Sequence, residues 1–333
     1  MDTSKLHRIL KPTRTALATS CTILATGAAQ AATPFVFVTN WYAQAEHGGF
    51  YQAQADGLYQ KAGLDVSLRM GGPQVNAVQL LAANRAQCII SDDIATMNAR
   101  AKGVPVELVA TSFQRDPTVL IAHDDVADFA AMKTRTLLAS SNANASWLPW
   151  AKAKFGFSDE QVRPYTFNIQ PFMADRKVVQ QGYLTSEPFA LEQAGAKFKV
   201  FPLSDAGYPP YGNAIACRSD FVAQHKDVVA AFLKATMQGW KSYLANPAPG
   251  NAAIQKENPN MSTAQLDYAV GKLKSSGLVT GGDAKTRGIG VITAERVKAS
   301  WTMAVANGLI DGKLLSVDNL YNTSIIDHIQ VLP

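Results

Sequence analysis

Residues 35–70 read FVFVTNWYAQAEHGGFYQAQADGLYQKAGLDVSLRM, and three hydrophobic periods succeed one another within them. Phe35 to Val38 is a continuous apolar run, the pattern of a strand covered on both faces. Tyr51, Ala55, Leu58 and Ala62 then recur at helical spacing until Gly63. Leu64, Val66, Leu68 and Met70 alternate with Asp65, Ser67 and Arg69. The stretch predicts strand, helix, strand. The segment NWYAQAEHGG, residues 40–49, is then the loop at the carboxyl end of the first strand, leading into a helix amino terminus. In open parallel α/β sheets ligands bind at such loops.

The alternation continues outward. It predicts a helix near Gln74–Arg85, a strand over Gln87–Ser91, a helix over Asp93–Lys102 and a strand over Val104–Ala110. After TSFQRDP (residues 111–117) the period restarts with a strand over Arg135–Ser140 and a helix over Ala145–Phe155. A strand near Arg163–Phe167, a helix over Pro171–Gln181, a strand over Tyr183–Glu187, a short helix and a strand over Lys197–Leu203 follow. From Ala214 one more strand precedes largely helical chain, including Phe221–Leu244, Ala264–Ser275 and Ala294–Ala306. About 300 residues exceed a comfortable single core, so two α/β lobes are expected. Residues 32–113 and 214–333 would form lobe 1 and residues 114–213 lobe 2. The chain would cross near Thr111–Thr118 and Tyr208–Ala216, both marked by Pro or Gly.

Ahead of this pattern, Lys5, Arg8, Lys11 and Arg14 precede an uncharged stretch from Thr15 to Gln30 and a small-x-small exit at Ala29-Gln30-Ala31. Residues 1–31 therefore read as a cleaved secretory signal peptide, and the mature chain as periplasmic. A lipoprotein reading would use Cys21, but LATSC has Ala18 where a leucine belongs. Removing the leader takes the formal charge from +5 to +2, which gives no support to a nucleic-acid surface. Cys88 and Cys217 remain, both in apolar runs that favour buried free thiols; pairing depends on a distance that sequence does not contain.

The stretches NWYAQAEHGGFYQAQADGLYQKAGLDV, VQLLAANRAQCIISDD and ARAKGVPVELVATSFQ together resemble the NMT1/THI5-like branch of periplasmic binding proteins for bacterial ABC importers. YGNAIACRSDFVAQHKDVVAAFLKATMQGWKSYLANP is similar to the family's returning segment. The resemblance implies a type II periplasmic-binding-protein fold: two Rossmann-like lobes, a two-segment hinge and a ligand cleft between them. It also implies a small-molecule ligand, an ABC permease in the inner membrane as partner, and no cofactor. Branch members take up thiamine-precursor pyrimidines, and related branches bind sulfonates, nitrate or aromatic acids. The family's first-loop Trp and His match Trp41 and His47, and its EPF-type turn matches Glu187-Pro188-Phe189. The family's WxPN is WYAQ here, with Ala43 and Gln44 in place of the proline and asparagine, so the ligand stays open.

Candidate binding residues follow from strand ends. Trp41, beside Tyr42, offers an indole face for stacking on an aromatic ring or cation, against the alternative of a lobe-capping core residue. His47 has no partner spacing for a metal and reads as a neutral hydrogen-bonding group. Ser91 and Asp92 either touch ligand or cap the next helix. In SSNANASW, residues 140–147, Asn142, Asn144 and Ser146 would suit a carboxylate, sulfonate or phosphate. Glu187 would pair with an aminopyrimidine edge or cap its own helix. Gln114 and Arg115 lie in the first crossing and Tyr211 in the second, where a shared cleft passes; Arg115 either clamps an anion or sits exposed beside Asp116.

Catalytic motifs are missing. The sequence holds no G-x-S-x-G, paired-cysteine metal spacing, phosphate loop or dinucleotide fingerprint. The enzyme alternative comes from the same resemblance: eukaryotic THI5-type proteins make a thiamine pyrimidine with their own histidine and a pyridoxal-phosphate lysine, but their cysteine-rich motif is absent here. An effector-sensing domain shares the fold but would need a DNA-binding amino terminus. The expectation is a monomeric solute-binding protein without metal, closing on a small planar ligand.

Overall fold

The computed structural model describes residue 1 and residues 31–72 and 75–333. The predicted leader falls on residues outside that description. Among the described residues the strands are, in chain order, β1 (Thr33–Val38), β2 (Leu64–Arg69), β3 (Cys88–Ser91), β4 (Val106–Phe113), β5 (Thr118–His123), β6 (Thr136–Ala139), β7 (Val162–Pro164), β8 (Val178–Tyr183), β9 (Phe198–Pro202) and β10 (Gly212–Arg218). They form two five-stranded sheets, ordered β2-β1-β3-β10-β4 and β7-β6-β8-β5-β9. In the first, β1 runs parallel to β2 and β3, while β10 runs antiparallel to β3 and β4. In the second, β6 runs parallel to β7 and β8, while β5 runs antiparallel to β8 and β9. Both sheets thus share one order, and in each the antiparallel strand directly follows a crossing of the chain. No helix among the described residues is long and apolar enough to cross a membrane.

The quoted stretch folds as β1, a helix and β2, with Phe35 opposite Val66. Its helix breaks at Gly57 (φ 66°) into Gly48–Ala55 and Leu58–Lys61, because only glycine takes that left-handed conformation cheaply. Behind the sheet, Phe35 stacks on Phe232 at 4.4 Å and Phe37 on Phe50 at 4.6 Å. The helix Lys226–Ala245 carries Phe232 and Trp240, and the Trp240 indole N–H donates to Ser112 Oγ at 3.2 Å. A Cβ on Gly239 would lie 2.2 Å from the Gly49 carbonyl oxygen, so two glycines let these helices touch backbone to backbone. The helix expected over Phe221–Leu244 divides at His225.

Three sequence expectations are corrected. The helix expected over Pro171–Gln181 ends as Gln170–Ala174, and Val178–Tyr183 is the central strand β8; residues 184–186 of the expected strand YLTSE form the turn after it. Strand β5, with all six residues buried, had no alternation to mark it. Strands covered on both faces lose the two-residue period that separates a strand from a buried helix. Cys88 and Cys217 are not free thiols: they form a disulfide, because antiparallel pairing of β10 with β3 sets them directly opposite across 129 residues of sequence.

Candidate functional site

The loop after β1 is clamped before it reaches its helix. Gly71, just beyond β2, donates its N–H to Thr39 Oγ1 at 3.0 Å, and the Thr39 hydroxyl donates to the Trp41 carbonyl at 2.8 Å. A Cβ on Gly71 would lie 2.2 Å from the Thr39 carbonyl oxygen, so only glycine admits this approach. From the other side, the Asn258 amide donates to the Ala43 carbonyl at 2.9 Å. These bonds hold Trp41 half-buried, with its ring 4.7 Å from that of Phe167, which follows β7 in the second sheet. Phe167 is 52% exposed at a left-handed φ of 58°.

Trp41 and Phe167 share a cleft of about 590 Å³ with Tyr42, Gln44, Tyr165, Glu187 and the segment Glu257–Met261. Glu187 opens the helix Glu187–Gln193 and turns back onto β8, where its carboxylate accepts from the Tyr183 N–H at 2.7 Å and from the Tyr165 hydroxyl at 3.1 Å. Gly182 makes room: a Cβ there would sit 3.1 Å from a Glu187 carboxylate oxygen. Burial raises the Glu187 pKa, and these two hydrogen bonds oppose the shift. The carboxylate still has lone pairs to offer. Among the described residues, the cleft lining contains Glu187 and Glu257 but no Lys, Arg or His.

Beneath the loop a buried polar chain joins the two sheets. The Thr185 hydroxyl, in the turn after β8, donates to the Glu46 carboxylate. His47 Nε2 lies 3.0 Å from Asn40 Oδ1, the Asn40 amide donates to Asn213, and the Asn213 amide donates to the Glu46 carbonyl. Burial pushes the Glu46 carboxyl up to about 7 and holds the His47 ring down at about 3, so the imidazole is neutral at physiological pH. Phe189 and Tyr268, with ring centres 5.4 Å apart, add a second aromatic contact between the helix Glu187–Gln193 and the helix Thr263–Ser276.

Of the residues singled out by sequence, Trp41, Tyr42 and Glu187 line this cleft. His47 lies buried beneath it. Gln114 and Arg115 line a different cavity, of about 520 Å³, with the end of the helix Thr263–Ser276 and the turn that follows it. There Arg115 pairs with Asp205 at 2.6 Å and donates to the Ser276 carbonyl at 3.0 Å. Asp92 caps the helix Asp93–Ala101 by accepting from the Ala95 N–H at 2.7 Å, and Ser91 accepts from the Thr96 hydroxyl. Asn144 donates to the Ser141 carbonyl and Ser146 to the Asn142 carbonyl, all within one turn. Tyr211 is fully buried, its hydroxyl accepting from the Thr293 N–H and its ring 4.0 Å from the Arg296 guanidinium. The sequence reading missed Tyr165, Phe167, Gln44, Gln265 and the 257–261 segment. Only the last carried a local signal, the turn-forming Asn-Pro-Asn at 258–260.

The sequence model of the family described as NMT1/THI5 like matches residues 44–249. The riboflavin-binding protein RibY of Chloroflexus aurantiacus is 24% identical over 207 residues, covering 60% of this chain and 59% of RibY. The formylaminopyrimidine-binding protein of Halalkalibacterium halodurans is 25% identical over 217 residues, covering 62% and 66%. The chain therefore spans about three fifths to two thirds of the length of these relatives. Among solved structures, the periplasmic aliphatic sulphonate binding protein SsuA of Escherichia coli superposes with a TM-score of 0.68 at 11% identity, over 87% of this chain and 92% of that one. At that identity the likeness is one of fold: the chain has the periplasmic-binding-protein fold.

Proposed function

The chain belongs to the NMT1/THI5-like family, and from that membership and the lining of the cleft we propose that it is a periplasmic solute-binding protein of an ABC importer. It closes two lobes, residues 32–113 with 214–333 and residues 114–213, over a small planar heteroaromatic ligand, and as a monomer hands that ligand to a permease. The carrying observation is the cleft's chemistry: an aromatic pair, Trp41 and Phe167, beside a carboxylate held by Tyr165 and the Tyr183 N–H, with no cation among the described lining residues. A flat ring gains stacking area there, and a ring edge bearing N–H or NH₂ groups gives Glu187 the donors its remaining lone pairs accept. The relatives named for riboflavin and formylaminopyrimidine binding support a ring of this kind.

An aromatic carboxylate or sulfonate would enter a cleft holding two carboxylates, while Arg115 is engaged with Asp205 elsewhere. The pyrimidine-synthesising reading calls for a lysine and a histidine at the ligand, and the described lining offers neither. Calorimetric titration with 4-amino-5-hydroxymethyl-2-methylpyrimidine, riboflavin, benzoate and an alkanesulfonate tests the proposal. At least one of the first two should bind, the anions should not, and Glu187→Gln should weaken binding by about 2–5 kcal/mol by leaving a ligand donor unpaired. Tight benzoate or sulfonate binding that survives Glu187→Gln would overturn it.

A further inference from the structure

The cleft is larger than one ring requires. A water molecule's share of liquid volume is about 30 Å³, and bonded atoms pack more closely than separate waters, so about 590 Å³ accommodates upwards of about twenty non-hydrogen atoms, far more than a substituted pyrimidine supplies. The lining also divides by chemistry. Trp41, Phe167, Tyr165 and Glu187 make an aromatic part with one acceptor, whereas Gln44, Asn260 and Gln265 bring three side-chain amides. None of those amides hydrogen-bonds to another described residue. Gln44 lines the cleft and is only 9% exposed. The segment bearing Asn260 is itself fixed: the Met261 N–H donates to the Asn258 carbonyl at 3.0 Å, the Gln255 amide donates to the Met261 carbonyl at 3.1 Å, and Asn258 ties the segment to Ala43.

An amide offers both a donor and an acceptor, which matches a hydroxyl, itself both donor and acceptor. A carboxylate, Glu257, stands in the same segment, and no described lining cation balances it. We propose that the segment Glu257–Met261, with Gln44 and Gln265, forms a second subsite that takes a neutral, hydroxyl-bearing side chain attached to the ligand ring and turns away the phosphorylated form of that chain. The inference rests on the reading of the cleft as a ligand site and adds the class of substituent. An importer component built this way takes the dephosphorylated compound, so a phosphatase or nucleotidase step must precede uptake wherever the compound occurs as its phosphate.

Three probes share one isoalloxazine ring and differ only in the group on N10: lumiflavin carries a methyl, riboflavin a ribityl chain, and flavin mononucleotide that chain with its phosphate. Titration of the full chain with each, and with 4-amino-5-hydroxymethyl-2-methylpyrimidine, provides the test. Riboflavin should bind at least tenfold more tightly than lumiflavin and at least tenfold more tightly than flavin mononucleotide. Gln44→Met and Gln265→Met keep side-chain volume and remove the amides; each should weaken riboflavin severalfold more than lumiflavin, with thermal midpoints near that of the parent. Equal affinity for lumiflavin and riboflavin, or preference for the phosphate, overturns the subsite. So does binding of the pyrimidine with no binding of riboflavin, which leaves the ring reading of the preceding subsection standing. Failure of all four probes, with Glu187→Gln behaving as the parent, overturns both.

Discussion

Glu46 follows a strand of the first sheet and Glu187 a strand of the second, and burial pushes both carboxyls toward the protonated form. The consequence is clearest at Glu46, raised from 4.5 to about 7. A carboxyl whose folded pKa is raised holds its proton more tightly folded than unfolded. Its contribution to stability is therefore fully present below pH 4.5 and is lost as pH rises through 7. His47 runs the other way: its ring is held down at about 3 from 6.5, so its contribution is present above pH 6.5 and fades as pH falls. Comparing Glu46→Gln with the parent isolates the carboxyl, since glutamine still accepts from Thr185. The variant should gain about 2–3 kcal/mol on the parent between pH 5 and pH 8. Urea unfolding at the two pH values measures this, and a gap that does not change with pH would place Glu46 in water rather than in the buried chain. The sequence marked His47 as a neutral group at a helix start; burial beneath the loop is what keeps it so. It gave no hint of Glu46, because a glutamate in a loop is ordinarily solvated.

Helix contacts explain what local pattern shows and what it hides. The aromatic and apolar spacing of Phe221–Leu244 marked a helix, yet two of that segment's structural decisions are made by glycine. Gly239 allows the helix Lys226–Ala245 to meet the Gly49 carbonyl oxygen, and a Cβ on Gly49 itself would lie 2.2 Å from the Trp240 ring. Gly239→Ala improves helix propensity by up to about 1 kcal/mol, but the added carbon must push against backbone. A net loss of about 1–3 kcal/mol is expected from overpacking, read as a lower urea midpoint. A gain in stability instead would show that these helices have slack. The misassigned segment 171–181 belongs to the same scale. Val178, Val179 and Gln180 are consecutive and all buried in β8, the central strand between β6 and β5, and burial that does not alternate fits a helix face as well as a strand.

At the scale of the molecule, the Cys88–Cys217 disulfide closes a loop of 129 residues that contains the entire second sheet. It ties the returning strand β10 to β3 at the end of β10 away from the crossing, where Cys217 also lies opposite Glu107 of β4. Removing it by Cys88→Ala with Cys217→Ala should lower stability by about 2–5 kcal/mol, since the unfolded chain regains the freedom that the closed loop withholds. Urea unfolding of the double variant under oxidising conditions measures the loss; an unchanged midpoint would mean that the unfolded chain keeps β3 and β10 together without the bond. The other crossing, between β4 and β5, places Arg115 against Asp205 and Ser276, which joins the linker to the segment after β9 and to the end of a C-terminal helix. That pairing is why the arginine nearest a cleft in sequence is absent from the described lining of the aromatic one.

Periodicity along the chain determined most strands and helices, the α/β class, and hence the loops that end strands. Trp41 and Tyr42 were legible for that reason: consecutive residues alone decide where β1 stops. Glu187 was legible as the residue opening a helix before Pro188, a local property as well. Tertiary structure decided which strands neighbour one another, that Cys88 faces Cys217, that Arg115 turns to Asp205 and that Phe167 meets Trp41. It also decided that Asp92, Asn144 and Ser146 satisfy helix and turn backbone and that Ser91 accepts from the Thr96 hydroxyl. The physical reason is one of range. A hydrophobic period is set by neighbours a few residues apart, whereas the surroundings of a side chain are set by segments a hundred residues away that burial of apolar surface brings together.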